Sequence, residues 1–369
     1  MKRILLLADC NSPHLQKWAT GISQGGFEVG VFSLCKSTSL WYKELKDFTL
    51  FDEHGFNNEM FHRSSFKKLA FLKVLPSLNR VIKNFKPHIV HAHYASSYGL
   101  LGALNGFRPY FISVWGSDVY DFPEEGFLQK RIIKFNLGKA DRIFSTSNVM
   151  ALHTQKFTSK KIVTIPFGIN TQKFCKVKVA PLFDMGAAVI GMVKTMQPKY
   201  GVEYLISAFL LVKSKFPHLQ IKLLLVGDGT QKKYLETLCV ESGIANDVVF
   251  TGNVPYSKVV QYHNLLDIAV YPSILDSESF GVAVLESSAC QKPVIVSDVA
   301  GFKEVVINGY SGIVVPRKNI ESLANAIEQL LLDTELRKKM GEQGRAHVIN
   351  KYEWSNCLKM MTDIYNETN

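Results

Sequence analysis

The amino-acid sequence predicts an α/β protein made of two doubly wound parallel-sheet domains. Two series of short apolar runs alternate with helical patterns, and the second series begins at residue 188, after a turn-rich segment without clear periodicity. Runs that are apolar at nearly every position are typical of parallel strands covered on both faces. A chain of 369 residues also exceeds what one hydrophobic core usually supports.

The first series predicts an N-terminal Rossmann-like domain over residues 1–167. Its first run leads into the loop ADCNSPH and lacks the G-x-G-x-x-G turn of dinucleotide-binding folds, which argues against a nicotinamide-dependent oxidoreductase. The predicted strands are 3–9, 28–34, 88–94, 109–115, 142–147 and 161–167. Residues 168–186 form the predicted linker.

The second series predicts a C-terminal Rossmann-like domain over residues 187–350. Its predicted strands are 188–194, 221–227, 248–252, 268–273, 293–298 and 312–316, and its predicted helices lie near 201–215, 230–243, 257–266, 281–290 and 320–333. A helical pattern covers about 335–365, and residues 351–369 are expected to form a C-terminal helix that packs across the domain junction. Two such domains, if they face each other, hold ligands in a cleft at the carboxyl ends of their strands.

The composition is that of an ordinary folded protein. Apolar residues make up 47% of the chain, and the mean hydropathy is +0.04. The N-terminal apolar run is interrupted by Asp9, unlike a signal peptide, and no window approaches 18 uninterrupted apolar residues. The six cysteines are scattered without C-x-x-C or paired Cys/His spacing, so we expect no disulfide framework, no metal site and a cytoplasmic location.

The formal net charge of +11 is unevenly distributed. Residues 1–165 contain 22 Lys+Arg and 12 Asp+Glu, a charge of +10, whereas residues 166–369 contain 21 and 20, a charge of +1. Residues 65–87 interleave six basic residues with apolar side chains, and Pro76 is expected to divide the segment into two helices. The segment fits a helix lying on anionic membrane headgroups; the alternative is a core-facing amphipathic helix with a solvated basic side.

The stretch ESFGVAVLE places Glu278 and Glu286 on either side of an apolar run. If Gly281 opens a helix, the backbone amides of Phe280–Val282 lack helical partners and favour a phosphate group. Glu286, on the second helical turn, would then accept hydrogen bonds from a ribose diol, and Glu278, in the preceding loop, would reach sugar hydroxyls. The alternative is that two glutamates near a helix start only offset the helix dipole.

A pair of lysines follows the first predicted strand of the second domain. Lys194 leaves the strand in GMVKTMQPKYG, and Lys199 precedes the next helix. Two cations at the carboxyl end of a strand suit a diphosphate, with lysine acting as a point charge. The alternative is a solvated lysine pair in a loop.

The second half of the chain resembles the retaining glycosyltransferases of family 4, which have the GT-B architecture of two facing Rossmann-like domains. The resemblance rests on Glu278-x7-Glu286 and on five further segments, and it covers nearly the whole second domain. These segments are LLLVGDG (223–229), VVFTGNV (248–254), AGFKEVVINGYSGIVVP (300–316), KYEW (351–354) and, at the exit from the first domain, IPFGIN (166–171).

The resemblance implies a role for each matching residue. Lys194 and Lys199 match an Arg/Lys pair on the donor diphosphate, and Glu278 matches the glutamate that holds donor-sugar hydroxyls. The expected donor-binding residues are Glu286, Phe280, Gly281, Val282 and Gly227. Such enzymes need no metal and no cofactor besides the nucleotide-sugar donor, for which a UDP-sugar is favoured.

The first domain matches the family less closely. In HIVHAHYASSYG (88–99), His91 or His93 would touch the substrate, and at least one of the two is expected to be packed and hydrogen-bonded. Trp115 stands where many members place a histidine against the donor sugar, and Asp118 is the best polar candidate nearby.

The loop after the first strand also departs from the family, which has a glycine-rich segment there. This chain has Ser12 and His14 instead, and both are candidates for the acceptor side of the cleft. Ser12 and Pro13 fit equally well the N-cap and first residue of a helix. Gln291 replaces a glycine that commonly ends a helix in the family.

We therefore expect a retaining glycosyltransferase that acts in cell-surface polysaccharide or glycolipid synthesis. The second domain would hold a nucleotide-sugar, and the first would present a saccharide or polyprenyl-diphosphate-linked acceptor, with the protein peripheral on the inner face of the plasma membrane. His93 or Asp118 would contact the sugar. Because no carboxylate is identified on the opposite face of the sugar, we expect the acceptor hydroxyl to attack from the same face as the leaving group.

Two alternatives remain from the sequence. A sugar-nucleotide 2-epimerase shares the GT-B architecture and would convert its substrate without an acceptor. A basic nucleic-acid-binding protein is disfavoured because no binding module is recognisable and the aromatic residues lie mostly in apolar runs.

Overall fold

The computed structural model describes residues 1–53, 69–184 and 186–368. The chain divides into two compact units: unit 1 consists of Met1–Phe167 with Ser355–Asn369, and unit 2 of Gly168–Trp354. Each unit contains one parallel sheet, and together they have the predicted GT-B fold. In the part of the chain described here, no helix combines the length and apolar content needed to traverse a lipid bilayer.

Unit 1 is built on a seven-stranded parallel sheet. Its strands are β1 (Arg3–Leu7), β2 (Glu28–Phe32), β3 (Phe48–Phe51), β4 (Ile89–His93), β5 (Tyr110–Val114), β6 (Arg142–Ser145) and β7 (Ile162–Thr164). Among its described residues before 168, the α-helices are α1 (Pro13–Gln24), α2 (Leu75–Phe85), α3 (Ser97–Asn105), α4 (Ser117–Tyr120), α5 (Phe127–Lys139) and α6 (Asn148–Thr154). The strand order is β3-β2-β1-β4-β5-β6-β7, so the chain reverses direction across the sheet between β1 and β4, where ligands of such folds bind.

All six strands predicted for this unit are present, but β3 is an addition that the sequence pattern missed. Strand β3 has four residues and pairs with β2 alone, at the edge of the sheet. Its side chains are only partly buried, and the charged KELKD segment lies next to it in the sequence. The hydrophobic pattern of so short a strand does not distinguish it from a loop.

The described part of the basic segment 65–87 packs into the core of unit 1; residues 65–68 lie outside the described residues. A 3-10 segment, Leu69–Val74, leads into α2, and Pro76 lies in the first turn of α2, as expected for a division there. Phe71, Leu78 and Phe85 are buried. This burial shows that the apolar side of the described segment faces the core, as in the core-facing amphipathic helix, and that its basic side remains exposed.

Unit 2 is built on a six-stranded parallel sheet. Its strands are β8 (Ala188–Val193), β9 (Ile221–Val226), β10 (Val248–Phe250), β11 (Ile268–Tyr271), β12 (Val294–Ser297) and β13 (Ile313–Val315), in the order β10-β9-β8-β11-β12-β13. Its α-helices are α7 (Val202–Lys215), α8 (Lys232–Glu241), α9 (Val259–Leu265), α10 (Val282–Ala289), α11 (Ala300–Val305), α12 (Ile320–Leu332) and α13 (Thr334–Tyr352). All six predicted strands and all five predicted helices are present; α11 was not predicted.

The helical stretch predicted for 335–365 consists of two helices, α13 and α14 (Trp354–Glu367). The break is fixed by the segment that begins unit 2, because the Trp354 N–H donates to the Ile169 carbonyl at 2.9 Å. A continuous α-helix would direct this N–H to the carbonyl four residues earlier in the same helix. This hydrogen bond therefore ends one helix and starts the next.

Helix α14 belongs to unit 1. The Tyr365 hydroxyl is hydrogen-bonded to Nδ1 of His91 on β4 at 2.6 Å. Lys2 Nζ donates to the carbonyls of Tyr365 at 2.9 Å and Thr368 at 2.6 Å. The core of unit 1 is thus completed by residues that follow unit 2 in the chain.

Candidate active site

The two oppositely charged residues predicted near the sugar and phosphates of a donor meet at the carboxyl ends of β8 and β11. Lys194 follows β8 directly, and Glu278 lies in the loop after β11. Lys194 Nζ lies 2.9 Å from Glu278 Oε2, and the two side chains are only 22% and 9% exposed. The structure therefore holds them as a largely buried ion pair.

The charge of Lys194 is stabilised by this contact. Burial disfavours the ammonium, but the negative charge of Glu278, with smaller contributions from Tyr200 and Glu286, raises the pKa of Lys194 above its ordinary value. The ammonium has three donors and the carboxylate about four acceptor positions, so the pair retains hydrogen-bonding capacity for a ligand on both partners.

The two lysines share one aromatic ring. Lys194 Nζ lies 4.5 Å and Lys199 Nζ 5.2 Å from the ring centroid of Tyr200. Tyr200 ends the 3-10 turn Pro198–Tyr200, which Gly201 joins to α7. Contacts of ammonium groups with an aromatic face are attractive, so Tyr200 helps to hold both cations at one place.

The loop from Glu278 to Gly281 leads into α10. Gly281 is the N-cap residue with a φ of +81°, which favours glycine, and a Cβ at this position would lie 2.9 Å from the Phe302 ring. Val282 begins the helix, and Phe280 is buried. The residues that line the narrow pocket at this place include Lys194, Tyr200, Glu278, Gly281 and Phe302.

The same loop is anchored by a charged cluster that sequence reasoning missed. The carboxylate of Asp276 accepts hydrogen bonds from the Ala300 N–H at 2.9 Å and from Arg317 Nη2 at 3.1 Å. Arg317 Nε also donates to Asp298 at 3.1 Å. The cluster ties the loop to α11 and to the segment after β13, which restricts the position of Glu278.

Glu286 lies on α10 and is buried. The Tyr256 hydroxyl donates to its Oε1 at 3.1 Å, and His263 Nε2 lies 3.4 Å from its Oε2. Lys173 Nζ lies 4.0 Å from the Tyr256 ring centroid; burial lowers the pKa of Lys173, and the charge of Glu286 opposes this effect. Glu286, the carboxylate predicted to bind a ribose diol, is thus hydrogen-bonded to Tyr256, which the sequence did not indicate as a site residue.

An aromatic cluster in unit 1 brings together three of the predicted residues. The His93 ring lies edge-on to Trp115 with centroids 5.1 Å apart, and His14 lies edge-on to Trp115 at 6.0 Å. His14 also stacks on Phe167 at 4.2 Å. Ser12 occupies the N-cap position of α1, with Pro13 as the first helical residue, although its side chain makes no capping hydrogen bond.

The two histidines of β4 differ in their contacts. His91 is hydrogen-bonded to Tyr365 and, through Nε2, to the Ser113 hydroxyl at 2.8 Å, so it is the packed, satisfied residue. His93 is also buried, but in the described part of the chain neither of its ring nitrogens has a hydrogen-bond partner. Burial lowers the pKa of His93 to about 3, so the ring is neutral near pH 7.

Asp118 is fully buried beside this cluster. Its carboxylate accepts hydrogen bonds from the N–H groups of Ala95 at 2.6 Å, Trp115 at 3.1 Å and Gly116 at 2.8 Å. Burial raises the pKa of Asp118 to about 6, and these backbone donors oppose the rise. The contacts join the turns after β4 and β5 and favour a role in positioning Trp115 over the predicted sugar contact.

Comparison with known proteins identifies the family. Residues 176–347 match the model for glycosyl transferases group 1, and residues 3–147 match the model for glycosyl transferase 4-like domains. The chain belongs to the group 1 glycosyltransferases. An uncharacterized glycosyltransferase of Methanocaldococcus jannaschii is 26% identical over 93% of this chain and 95% of its own length. The D-inositol 3-phosphate glycosyltransferase of Corynebacterium urealyticum is 31% identical over 49% of this chain and 43% of its own.

Solved structures place this glycosyltransferase in the GT-B fold. Sucrose-phosphate synthase from Thermosynechococcus elongatus has a TM-score of 0.82 at 19% identity, covering 100% of this chain and 99% of that one. An Anabaena protein in complex with UDP-glucose has a TM-score of 0.79 at 18% identity, covering 99% and 100%. At such identities the likeness establishes the fold and not the substrate.

One local departure of this glycosyltransferase from its family has a structural explanation. Gln291 adopts a φ of +60°, the left-handed conformation that a helix-ending glycine would supply.

Among the described residues, no group of three or more His, Cys, Asp or Glu is arranged to hold a metal ion.

Gly227, predicted in the donor-binding turn, supports the position of Lys194. It has a φ of +135°, and a Cβ there would lie 2.2 Å from the Lys194 carbonyl oxygen. We expect Gly227→Ala to lower the free energy of unfolding of unit 2 by about 2–4 kcal/mol, from backbone strain plus overlap, measured by urea denaturation. Gly243→Ala is the control, because Gly243 also has a positive φ, +69°, but open space around it. Equal losses in the two variants would contradict the steric role.

Proposed function

We propose that this glycosyltransferase takes its sugar from a nucleoside-diphosphate sugar and transfers it, with retention of anomeric configuration, to a saccharide or polyprenyl-diphosphate-linked saccharide. Unit 2 holds the donor, and the aromatic cluster of unit 1 serves the acceptor. The observation that carries the proposal is the buried Lys194–Glu278 ion pair beside Lys199 and the start of α10.

The ion pair supplies the two functions that such a donor needs. The Lys194 ammonium keeps a free donor for a phosphate oxygen while it remains paired, and the Glu278 carboxylate keeps acceptor positions for sugar hydroxyls. Counted together, Lys194, Lys199 and Glu278 carry a charge of +1, which favours a diphosphate over a neutral ligand. Glu286, already hydrogen-bonded to a hydroxyl group, offers the same chemistry to a ribose diol.

Transfer requires the bond between the anomeric carbon and the diphosphate to break, which leaves negative charge on the diphosphate. Three sources of positive charge are fixed near the place where this charge develops: Lys194, Lys199 and the N-terminal end of the α10 dipole. Fixed charges of this kind lower the activation free energy of the transfer. The acceptor hydroxyl attacks from the same face and passes its proton toward the departing phosphate oxygen. In this scheme Glu278 orients the sugar and transfers no proton, and no metal ion takes part.

UDP is the nucleotide we favour, because UDP-glucose is bound by the Anabaena protein of the same fold. The lipid-linked acceptor is supported by the charge of +10 on residues 1–165, which suits work at an anionic membrane face. A place in cell-surface polysaccharide or glycolipid synthesis, at the inner face of the plasma membrane, is part of the same proposal.

The test combines donor binding with Lys199→Ala. In a thermal-shift panel of UDP-, GDP-, ADP- and TDP-sugars, one donor at 100 times its dissociation constant is expected to stabilise the protein by about 2.7 kcal/mol. Lys199→Ala should abolish this shift and the transfer activity, whereas Lys233→Ala, at an exposed site on α8, should leave both intact. Conversion of the sugar nucleotide without an acceptor would indicate a 2-epimerase and overturn the proposal.

Tyr200 provides a separate prediction about donor affinity. Tyr200→Leu removes the aromatic face shared by the two lysines, and we expect the KM for the donor to rise about tenfold with a smaller change in kcat, since such contacts contribute about 1–2 kcal/mol when shielded. Tyr200→Phe keeps the ring and should stay near the parent value. Steady-state kinetics with varied donor concentration distinguish the two; equal behaviour of the leucine and phenylalanine variants would exclude the role of the ring.

A further inference from the structure

Three helices of unit 1 form one layer against the sheet. Helix α3 packs between α2 and α5. The Asn105 amide at the end of α3 donates to Asn79 of α2 at 2.6 Å, and the Asn136 amide of α5 donates to the Ala95 carbonyl just before α3 at 2.8 Å. The connections β3–β4, β4–β5 and β5–β6 all advance in the same direction along the sheet, so right-handed crossovers place their helices on one face.

This layer, together with the 3-10 segment that precedes α2, is strongly basic. The four elements contain seven Lys and Arg residues and no Asp or Glu. All seven are exposed: Lys73, Arg80, Lys83, Lys130, Arg131, Lys134 and Lys139. Lys130 is paired with Glu124, in the turn before α5, at 3.4 Å. These four elements therefore contribute seven of the 22 Lys and Arg residues of residues 1–165, with no acidic residue among them.

Helix α5 adds exposed apolar side chains to this charge. Phe127 is 74% exposed, Leu128 49% and Phe135 40%. Phe127, Arg131 and Phe135 are spaced by four residues, so they share the outward face, while Ile133 and Leu137 fill the core from the other face. The three outward apolar residues are therefore not part of the core cluster of unit 1.

The cations and aromatic rings on this face lie against each other. Arg131 Cζ is 5.2 Å from the Phe127 ring centroid, and Lys139 Nζ is 5.6 Å from that of Phe135. Rings that enter the boundary between headgroups and acyl chains, beside cations that remain with the headgroups, are the arrangement of helices that lie in a membrane surface.

We propose that the α2–α3–α5 layer, with α5 foremost, docks unit 1 on an anionic lipid bilayer. The basic residues match anionic headgroups, and Phe127, Leu128 and Phe135 enter the interfacial region. A nucleic acid or an acidic protein would satisfy the charges, but it would leave the three apolar side chains without a matching environment. The inference does not depend on the donor or acceptor, because docking is measured without either.

Flotation with vesicles tests the surface on the full chain. We expect binding to vesicles of phosphatidylcholine mixed with phosphatidylglycerol and none to phosphatidylcholine alone. Arg131→Gln/Lys134→Gln should weaken binding about 30-fold, the combined effect of two basic residues near the surface. Phe127→Ser/Phe135→Ser should weaken it comparably and make the remaining binding disappear at high salt.

The control variant is Tyr234→Ser/Val240→Ser, which removes two exposed apolar side chains from α8 in unit 2 and should bind as the parent does. All the altered side chains are exposed, and unchanged thermal unfolding confirms that the variants fold. Transfer to a soluble saccharide acceptor should be equal in all of them, so that failure of docking and failure of the catalytic proposal are separate results. Absent binding, equal binding to neutral vesicles, or full binding by Phe127→Ser/Phe135→Ser would each overturn the proposal; the last would show that charge alone carries the binding and that the apolar side chains do not enter the bilayer.

Discussion

Replacing Glu278 by glutamine is expected to abolish transfer and to destabilise unit 2 at the same time. The variant leaves the Lys194 ammonium, 22% exposed, without its counter-charge, and removing one partner of a buried ion pair costs about 3–5 kcal/mol. Proton release from Lys194 would limit that cost. Because the carboxylate also orients the sugar in our scheme, we expect kcat/KM to fall by at least about 100-fold.

A double variant separates the two effects. Glu278→Gln/Lys194→Met contains no unpaired charge, so it should recover most of the lost free energy of unfolding but none of the activity. Urea denaturation and steady-state kinetics on the parent, both single variants and the double variant form the measurement. Glu342→Gln, at an exposed site on α13, is the control and should match the parent. Parent-like activity in Glu278→Gln would refute the site assignment.

The second large effect concerns acid sensitivity of unit 1. His93 has a pKa of about 3 in the folded state, against about 6.5 in the unfolded chain, because burial disfavours its charged form. Between these values the unfolded chain binds a proton that the folded state does not bind. Folding stability therefore falls as the pH drops from about 6.5 toward 3, by about 1.4 kcal/mol per pH unit for this residue.

Neighbouring groups modify the pH profile, so the comparison is between variants. Burial also keeps the pKa of His91 well below its ordinary value and adds to the acid sensitivity, whereas Asp118, with a pKa raised to about 6, opposes it at mildly acidic pH. We expect the stability of His93→Phe relative to the parent to rise by about 1.4 kcal/mol for each unit below pH 6.5. The control is His218→Gln, at an exposed site in unit 2.

Tryptophan fluorescence during urea denaturation reports mainly on this unit. Three of the four tryptophans lie in unit 1: Trp18, Trp41 and Trp115. Parallel pH profiles for the parent and His93→Phe would show that the buried ring is not responsible. The transfer activity of His93→Phe at pH 7 is measured separately from its stability at acidic pH. The His93 ring is neutral at pH 7, so the substitution changes no charge there.

The second sheet could be predicted almost completely because each of its strands is an apolar run bounded by turn residues. Among the described strands of unit 1, the same rule failed for Phe48–Phe51, whose edge position demands little apolar surface. The break between α13 and α14 could not be predicted, since it depends on a hydrogen bond to Ile169, far away in sequence.

For the candidate site, sequence reasoning found the charged residues but not their partners. Glu278 and Lys194 were selected separately, and their ion pair depends on the adjacency of β8 and β11, which a single sequence does not reveal. Tyr256 was missed because it lies in a loop without a recognisable pattern. Tyr200 could have been found, since an aromatic residue directly after Lys199, the second of two cations that follow a strand, is itself a signal.

The position of α14 has a consequence for biosynthesis. Unit 2 is one continuous stretch of chain, whereas unit 1 needs residues on both sides of it, including the Tyr365 hydroxyl on His91 and the Tyr365 carbonyl on Lys2. A ribosome therefore finishes all of unit 2 before it supplies the helix that closes the core of unit 1. We expect unit 2 to complete its folding before unit 1 does. Until α14 has been synthesised, the N-terminal sheet is incomplete, and we expect this intermediate to be the one that requires chaperones.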